Sequence, residues 1–316
     1  DADGDILITS LITTTEVQAT SATASILDND LVDDADITAA TVALRALLGV
    51  GTDGDSLETV SDGTTTSLVL SALTDSGDIH VVNTGQLIVG TVDGLSGVEI
   101  SDSAAGGDDS GADNITLVAS SPLTVNDDVT NNDGGNITLT ATDSGAAGDD
   151  LTVATGVSIT AAGGTGAITL NAGDNVLLNG TALVTAASSG AVTVTADAGS
   201  VDAGGAITMA DGSQVVSGSG TLDLNATDNV TIGRLMTTGN VTIDTTAGEV
   251  LDGGDTHTEI EADTATITAS GGIGESAGSG ADAALEMSLT TLNATTTAGS
   301  IQIDEADGVT LASITA

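Results

Sequence analysis

Clustered carboxylates are the side chains of this sequence with the clearest chemical potential, and that chemistry is the binding of a hard cation. The first five residues, DADGD, place acids at alternate positions, as Asp-rich calcium loops do. A similar mixture of Asp, Asn and Gly recurs at later corners, where these residues serve tight turns by adopting left-handed backbone. Two interpretations stay open: Asp1, Asp3 and Asp5 either bind Ca²⁺ or form a structural corner.

A second group of carboxylates lies between positions 28 and 36 and packs more acids into fewer residues. Its members are Asp28, Asp30, Asp33, Asp34 and Asp36. The sequence contains a tandem repeat of about 223 residues. In its second copy the stretch that matches these acids, residues 252–255, keeps fewer of them. Because carboxylate oxygens are the ligands that calcium takes in proteins, we predict Asp28, Asp30, Asp33 and Asp34 as ligands of Ca²⁺. The fold itself is expected to require no cofactor.

Residues suited to nucleophilic or general-base catalysis are scarce. The chain has no Cys and no Lys, and its other candidates are His80, His257, Arg45 and Arg234. None of these four recurs at the matching position of the long repeat. A glycosidase needs only two carboxylates at a defined separation, so a polysaccharide-degrading β-helix enzyme stays as the weakest alternative. We expect no enzymatic activity.

Seven Asn-x-Thr sequences are candidate glycosylation sites. At Asn114, Asn136 and Asn240 the next residue is an aliphatic residue expected to point inward, so the Asn should face outward. These three are therefore predicted as glycosylation sites. The alternative is that Asn followed by Ile or Val and Thr is simply how a strand begins in this chain.

The charge balance excludes several classes of function. The chain has 46 acids against 2 basic residues, a net charge of -44, and no aromatic residue. Nucleic-acid binding needs basic side chains for phosphates and aromatic rings for bases, so no nucleic-acid partner is expected. No run approaches the roughly 18 apolar residues of a membrane helix, so no membrane span is expected. Because the excess negative charges repel one another, we predict that salt or divalent ions stabilise the fold.

The elements that must position these side chains are short strands. Residues 166–170 (GAITL), 190–194 (GAVTV), 239–243 (GNVTI) and 299–303 (GSIQI) each read Gly, outward, inward, outward, inward. This alternation is typical of β-strands. An interior filled with Ile, Val, Leu and Ala favours a narrow solenoid in which each repeat contacts its neighbours. We predict an all-β fold, a parallel β-helix with coils of about 20 residues and a length of about 75 Å.

A longer period indicates a tandem organisation. Residues 1–94 match residues 225–316 at shifts of 222 to 224 residues, so that Ile37 returns as Ile260 and Ile79 as Ile301. We predict one continuous β-solenoid over residues 1–316, containing a tandem unit of about 223 residues. The match also decides a local ambiguity. Residues 39–49 have a helical composition, but their Thr-rich counterpart at 262–272 predicts a strand.

Several phrases resemble the repeats of filamentous-haemagglutinin-type giant bacterial surface proteins. They are GNITLTA at 135–141, LTVNDDVT at 123–130, GGIGES at 271–276 and TTLNATTTAGSIQI at 290–303. The resemblance covers nearly the whole chain and is carried more by the order of the phrases than by any one of them. It implies a right-handed parallel β-helix, secretion across the bacterial outer membrane, and a role in adhesion or fibre formation.

These observations predict a non-catalytic structural rod, a segment of an extracellular filament at the bacterial cell surface. Its expected partner is itself, either head-to-tail along the solenoid axis or as part of a longer tandem chain. The alternative is a calcium-stabilised adhesin module that binds a carbohydrate or a host or cell-surface receptor.

Overall fold

The computed structural model describes residues 2–30, 34–103, 111–199, 201, 204–254, 257–274 and 284–316. Within these ranges the chain forms β-strands and no helix. The strands belong to one 33-stranded parallel sheet and to one two-stranded antiparallel hairpin. The prediction of an all-β parallel β-helix is therefore confirmed.

The strands are short and follow one another closely along the chain. In order they are β1 (Ile6–Ile8), β2 (Leu11–Ile12), β3 (Glu16–Ser21), β4 (Ser25–Asp28), β5 (Ile37–Ala39), β6 (Thr41–Ala46), β7 (Gly49–Val50), β8 (Leu57–Ser61), β9 (Ser67–Thr74), β10 (Ile79–Thr84), β11 (Gln86–Val89), β12 (Thr91–Val92), β13 (Leu95–Ser96), β14 (Val98–Ile100), β15 (Ile115–Ala119), β16 (Leu123–Val125), β17 (Val129–Asn131), β18 (Ile137–Ala141), β19 (Leu151–Val153), β20 (Ser158–Ala161), β21 (Ile168–Ala172), β22 (Val176–Leu178), β23 (Leu183–Ala186), β24 (Val192–Thr195), β25 (Ile207–Met209), β26 (Gln214–Ser217), β27 (Leu222–Ala226), β28 (Val230–Ile232), β29 (Arg234–Met236), β30 (Asn240–Thr245), β31 (Val250–Asp252), β32 (Ile260–Ala269), β33 (Leu285–Thr296), β34 (Ile303–Glu305) and β35 (Thr310–Thr315).

Successive coils stack their inward aliphatic residues into columns, and one long column can be followed on each of three faces. The first column follows the paired residues Ile6, Ile26, Val50, Ile79, Ile115, Ile137, Ile168, Val192, Leu222, Val241, Ala265, Leu292 and Leu311. The second runs from Leu68 through Leu87, Leu123, Leu151, Val176, Ile207, Val230, Val250 and Ile273 to Ile301. The third runs from Ala19 through Leu44, Ala72, Val98, Val129, Ile159, Val184, Val215, Leu235 and Ile260 to Met287.

Burial in these columns is close to complete away from the ends. Ile168 and Val192, which pair across adjacent coils, are both 0% exposed. The intervening outward residue Thr169 is only partly buried. Since burying one such aliphatic side chain stabilises the fold by roughly 1.5–3 kcal/mol, the columns are the main source of stability. The small side chains suit a narrow interior that offers no space for rings.

Coil length varies, and this makes the rod shorter than expected. Along the first column a short coil connects Leu222 to Val241, whereas a much longer one connects Ile79 to Ile115. At about 4.8 Å per rung, the steps of this column span about 58 Å rather than the expected length of about 75 Å. The predicted coil length was too small because it took no account of long corners.

The segment with helical composition is extended. Residues 39–49 fall in the end of β5, all of β6 and the start of β7, and β6 pairs in parallel with β3 and β9. Leu44, a good helix former, is fully buried in the third column. Pairing on both sides outweighs the local propensity, and the predicted strand is confirmed.

Candidate functional site

The acidic residues at the start of the chain lie on the surface of the first coil. Asp3 and Asp5 are exposed, and Asp1 lies outside the described residues. The Oδ1 atom of Asp5 accepts the backbone N–H of Ser25, one coil further on, at 3.0 Å. Asp5 thus bonds to the edge of the neighbouring strand β4, in keeping with the interpretation of this motif as a corner. The calcium interpretation stays a prediction.

A compact group of carboxylates forms where β4, β5 and β8 meet. We call Asp28, Asp36 and Glu58 the N-terminal carboxylate cluster; one carboxylate oxygen from each lies within 4.8 Å of the others. Asp28 ends β4 and Asp36 precedes β5, whereas Glu58 lies on β8 of the next coil. Because Ile37 pairs with Thr59, Asp36 is next to Glu58 across the coil boundary. Asp36 Oδ2 accepts the Glu58 N–H at 2.9 Å.

The other predicted ligands of this region lie apart from that cluster. The N–H of Asp30 donates to Asp28 Oδ1 at 3.1 Å, so Asp30 contributes its backbone there. Asp34 is exposed, and Asp33 lies outside the described residues. Of the predicted calcium ligands, the structure brings Asp28 into the cluster, together with Asp36 and Glu58.

A second cluster of the same construction lies near the other end of the chain. We call Asp252, Glu259 and Glu286 the C-terminal carboxylate cluster; its carboxylate oxygens also lie within 4.8 Å of one another. Glu259 precedes Ile260, which pairs with Met287, so Glu259 is next to Glu286 across the coil boundary. Glu259 Oε2 accepts the Glu286 N–H at 2.6 Å. Asp252 Oδ1 accepts the N–H of Gly254 at 2.9 Å.

The central carboxyl group of each cluster is fully enclosed. Asp36 is 1% exposed and Glu259 is 0% exposed. Burial raises the pKa of Glu259, and the nearby Glu286 carboxyl raises it further, while the Glu286 N–H opposes the rise. Burial likewise raises the pKa of Asp36, with the Glu58 N–H opposing and the Asp28 and Glu58 carboxyls adding to the rise. Three acids this close in an enclosed site require protons or a cation.

The basic residues lie outside both groups. In the part of the chain that the structure describes, Arg45 pairs with Asp93 at 3.5 Å and Arg234 pairs with Glu261 at 3.5 Å. His257 is exposed. His80 lies in a separate lateral groove on the outer face of β10, β15 and β18.

That lateral groove also contains two of the predicted glycosylation sites. Asn114 and Asn136 line it beside Asp78 and His80. Asn114 is partly buried and Asn136 is exposed, and Asn240 is exposed at the start of β30. The outward orientation expected for these Asn residues holds for Asn136 and Asn240. Their glycosylation stays a prediction.

Sequence reasoning missed Glu58, Glu259 and Glu286 as cluster members. One signal could have found Glu259, because the tandem shift that takes Ile37 to Ile260 also places Glu259 opposite Asp36. Glu58 and Glu286 lie on the following coils. Whether they reach the buried acid depends on the strand register across a corner, which the sequence pattern does not reveal.

Comparisons with known proteins return no relative for this chain. No protein-family model, no curated protein and no solved structure matches it. The described residues contain no apolar helix of membrane-spanning length.

Proposed function

We propose that this chain is a non-catalytic structural rod, a segment of an extracellular filament on a bacterial surface. The observation that carries the proposal is the continuity of the three aliphatic columns. The first column links β1 to β35 without a break. A solenoid of this kind is long relative to its width, and its stability is a sum of contacts between neighbouring coils.

The outer surface supports an extracellular role. Outward positions are mostly Thr, Ser, Asn and Asp, and the net charge is -44, which keeps a protein soluble. Trypsin could cut only after Arg45 and Arg234, and both side chains are partly buried. Resistance to proteolysis suits a fibre outside the cell. The resemblance to filamentous-haemagglutinin-type proteins supports the same location and the bacterial origin.

The terminal coils support stacking along the axis. Leu311 on β35 is 63% exposed and Ile314 is 44% exposed, while Leu11 on β2, which pairs with the buried Ile37, is 42% exposed. A further coil placed on such an edge would continue the columns and bury these side chains. The proposed partner is therefore another solenoid segment, either a second copy of this chain or adjoining residues of a longer tandem chain.

Electron microscopy of the native material, combined with its intact mass, tests this proposal. We expect straight rods in the micrographs. Fibre diffraction from them should show an axial spacing of about 4.8 Å, the distance between stacked strands. Subunits of 30.3 kDa in long rods would indicate self-assembly, and a much larger chain would indicate a tandem array. Compact particles without axial order in concentrated native samples would refute the rod.

The lateral groove favours a second candidate, a calcium-stabilised adhesin module that binds a carbohydrate or a cell-surface receptor. Its Asp78, His80 and Asn136 side chains offer several hydrogen-bond donors and acceptors on one side of the rod. Saturation-transfer NMR with a panel of neutral and acidic oligosaccharides would test it. Binding that is lost in His80→Ala would support the adhesin, whereas equal signals for both proteins would refute binding in this groove.

A further inference from the structure

We propose that the N-terminal and C-terminal carboxylate clusters are two equivalent sites, each of which binds one Ca²⁺ between adjacent coils. This inference goes beyond the structural role proposed above and does not rest on it.

The spacing of the oxygens fits a single calcium ion. In each cluster the three carboxylate oxygens lie within 4.8 Å of one another. Calcium binds oxygen at about 2.3–2.6 Å, so two ligands of one ion can be at most about 5 Å apart. All three oxygens can therefore contact the same ion, and water would complete the coordination.

An unpartnered buried oxygen points to a missing ligand. Glu259 is 0% exposed, and its Oε1 atom has no hydrogen-bond partner although its Oε2 atom accepts the Glu286 N–H. Glu58 Oε2 is likewise enclosed without a hydrogen-bond partner. A buried carboxylate oxygen without a partner destabilises the fold, because its lost hydration is not replaced. A cation bound in each cluster would provide a partner for Glu259 Oε1 in one cluster and for Glu58 Oε2 in the other.

The same construction occurs twice. In both clusters the buried acid accepts the N–H of the glutamate on the next coil, as Glu58 donates to Asp36 and Glu286 donates to Glu259. In both, an Asp at the end of the preceding strand accepts the N–H of the residue two positions on. The tandem shift that takes Asp36 to Glu259 takes Asp28 to the position next to Asp252. The tandem unit thus carries two of the three positions, the central acid changing from Asp to Glu, whereas the third acid, Glu286, lies beyond the position that matches Glu58.

The donor set favours calcium over other cations. The described ligands are all carboxylate oxygens, which suit Ca²⁺, Mg²⁺ or Mn²⁺ rather than zinc or copper. Magnesium demands near-ideal octahedral geometry and keeps most of its water, whereas calcium tolerates irregular sites. Three ligands drawn from two stacked strands and a corner suit an ion that accepts irregular geometry. Both arginines pair with acids outside the clusters, so neither arginine neutralises the cluster carboxylates.

A bound ion would join residues of adjacent coils. Asp28 and Asp36 flank the corner between β4 and β5, and Glu58 belongs to the next coil. One ion bound to all three would therefore connect two coils. An ion bound to Asp252, Glu259 and Glu286 would connect two coils in the same way.

Isothermal titration of the full-length chain with CaCl₂, after treatment with EDTA and in high NaCl, tests the proposal. The high salt screens the diffuse attraction of Ca²⁺ to the net charge. We expect two saturable equivalents for the native chain, one for Glu259→Gln, one for Asp36→Asn and none for the double variant. Gln and Asn keep an oxygen that can accept the backbone hydrogen bond, and circular dichroism would verify folding.

The matched control is Glu16→Gln, which removes the same charge from an exposed position of β3. It should retain two equivalents. A second measurement uses Eu³⁺ luminescence excited directly, because the chain has no aromatic residue to sensitise it. One of two bound Eu³⁺ populations should disappear in Glu259→Gln, and CaCl₂ should displace both from the native chain.

Two results would overturn the proposal. Equal binding by the native chain, Glu259→Gln and the double variant would mean that calcium only joins the diffuse ion atmosphere. A chain without saturable binding, whose melting temperature in EDTA rises on acidification and ignores CaCl₂, would mean that the carboxyl groups share protons instead.

Discussion

The side-chain Oδ1 of Asn114 accepts the backbone N–H of Asn136 on the next coil at 2.9 Å. Asn136 repeats the contact one coil further on, where its Oδ1 accepts the N–H of Ala167 at 2.9 Å. Asp78 begins this ladder by accepting the N–H of Asn114 at 2.7 Å. The ladder supplies a structural reason for Asn before Ile-Thr at strand starts, independent of any sugar.

Replacing a ladder Asn should destabilise the solenoid modestly. Asn114→Ala and Asn136→Ala each remove an acceptor from a backbone N–H and should lower the free energy of unfolding by about 1 kcal/mol. Guanidinium unfolding followed by circular dichroism measures this change. Asn240→Ala is the control, because no side-chain hydrogen bond of this exposed residue is found among the described contacts. A loss in the control as large as in the ladder variants would contradict this role.

The strands themselves were predictable from the sequence, because inward aliphatic residues at alternate positions leave little choice of backbone. Ile168 and Leu170, for example, are buried where the alternation places them. The tandem match was needed for β6, whose composition alone predicts a helix. For the alternating strands and for β6 alike, burial of the inward side chains between neighbouring coils determines the extended backbone.

The carboxylate clusters were less predictable, because they depend on contacts between coils. Asp36 and Glu58 come from successive coils, and their proximity follows from the pairing of Ile37 with Thr59. Coils differ widely in length, so the sequence alone does not tell which acids share a corner. Only the register of the strands on both sides of a corner determines this.

Salt should raise the melting temperature of the protein. The net charge is -44 with 2 basic residues, and about 0.1 M salt screens charges beyond about 10 Å. Differential scanning calorimetry in increasing NaCl should show a steady rise, since repulsion between coils falls. Sucrose, which does not screen charge, is the control for general solute effects. A melting temperature independent of NaCl would show that repulsion does not limit stability.

Calcium should add stability beyond its ionic strength. At equal ionic strength, CaCl₂ should raise the melting temperature more than NaCl does, because the proposed sites would bind calcium in the folded state in addition to its screening of charge. Asp36→Asn combined with Glu259→Gln should remove this excess and leave the NaCl effect. An excess that persists in the double variant would place the stabilising calcium elsewhere on the rod.

Tight corners should be intolerant of a side chain where two coils approach closely. At Gly77, with φ of 81°, an added Cβ would lie 1.2 Å from the Leu48 carbonyl oxygen. Gly77→Ala must displace backbone and should cost several kcal/mol, on the order of the largest single-site effects. Gly63 has a similar φ of 78° with nothing within 4 Å of the added Cβ. Gly63→Ala should therefore cost only about 1–2 kcal/mol, as chemical denaturation of both variants would show. Equal losses would mean that backbone strain, and not the contact between coils, dominates at Gly77.

Acid should weaken the contact between coils that Asp75 makes with the turn after β14. The Ser103 hydroxyl does most to hold the pKa of Asp75 below its usual range; burial opposes this, and the Ser101 hydroxyl and the Ser103 N–H contribute to the lowering. Asp75 Oδ1 accepts the Ser101 hydroxyl and the Ser103 N–H, both at 3.0 Å. A lowered pKa means that folding favours the charged carboxylate. This contribution is present above the usual Asp pKa of about 3.9 and is lost as the pH falls through the folded value.

Asp75→Asn should therefore reduce stability at neutral pH by about 1 kcal/mol, a figure that allows for screening by solvent at this half-buried site. At a pH below the folded pKa of Asp75 the native chain and the variant should unfold at similar denaturant concentrations, because the native carboxyl is then neutral. Denaturation curves at both pH values measure the difference. Asp53→Asn, the same charge change on an exposed turn, corrects for the loss of one negative charge. A gap between the native chain and Asp75→Asn that is equally large in acid would assign the effect to packing, since a contribution from the charged carboxylate must disappear when that group is protonated.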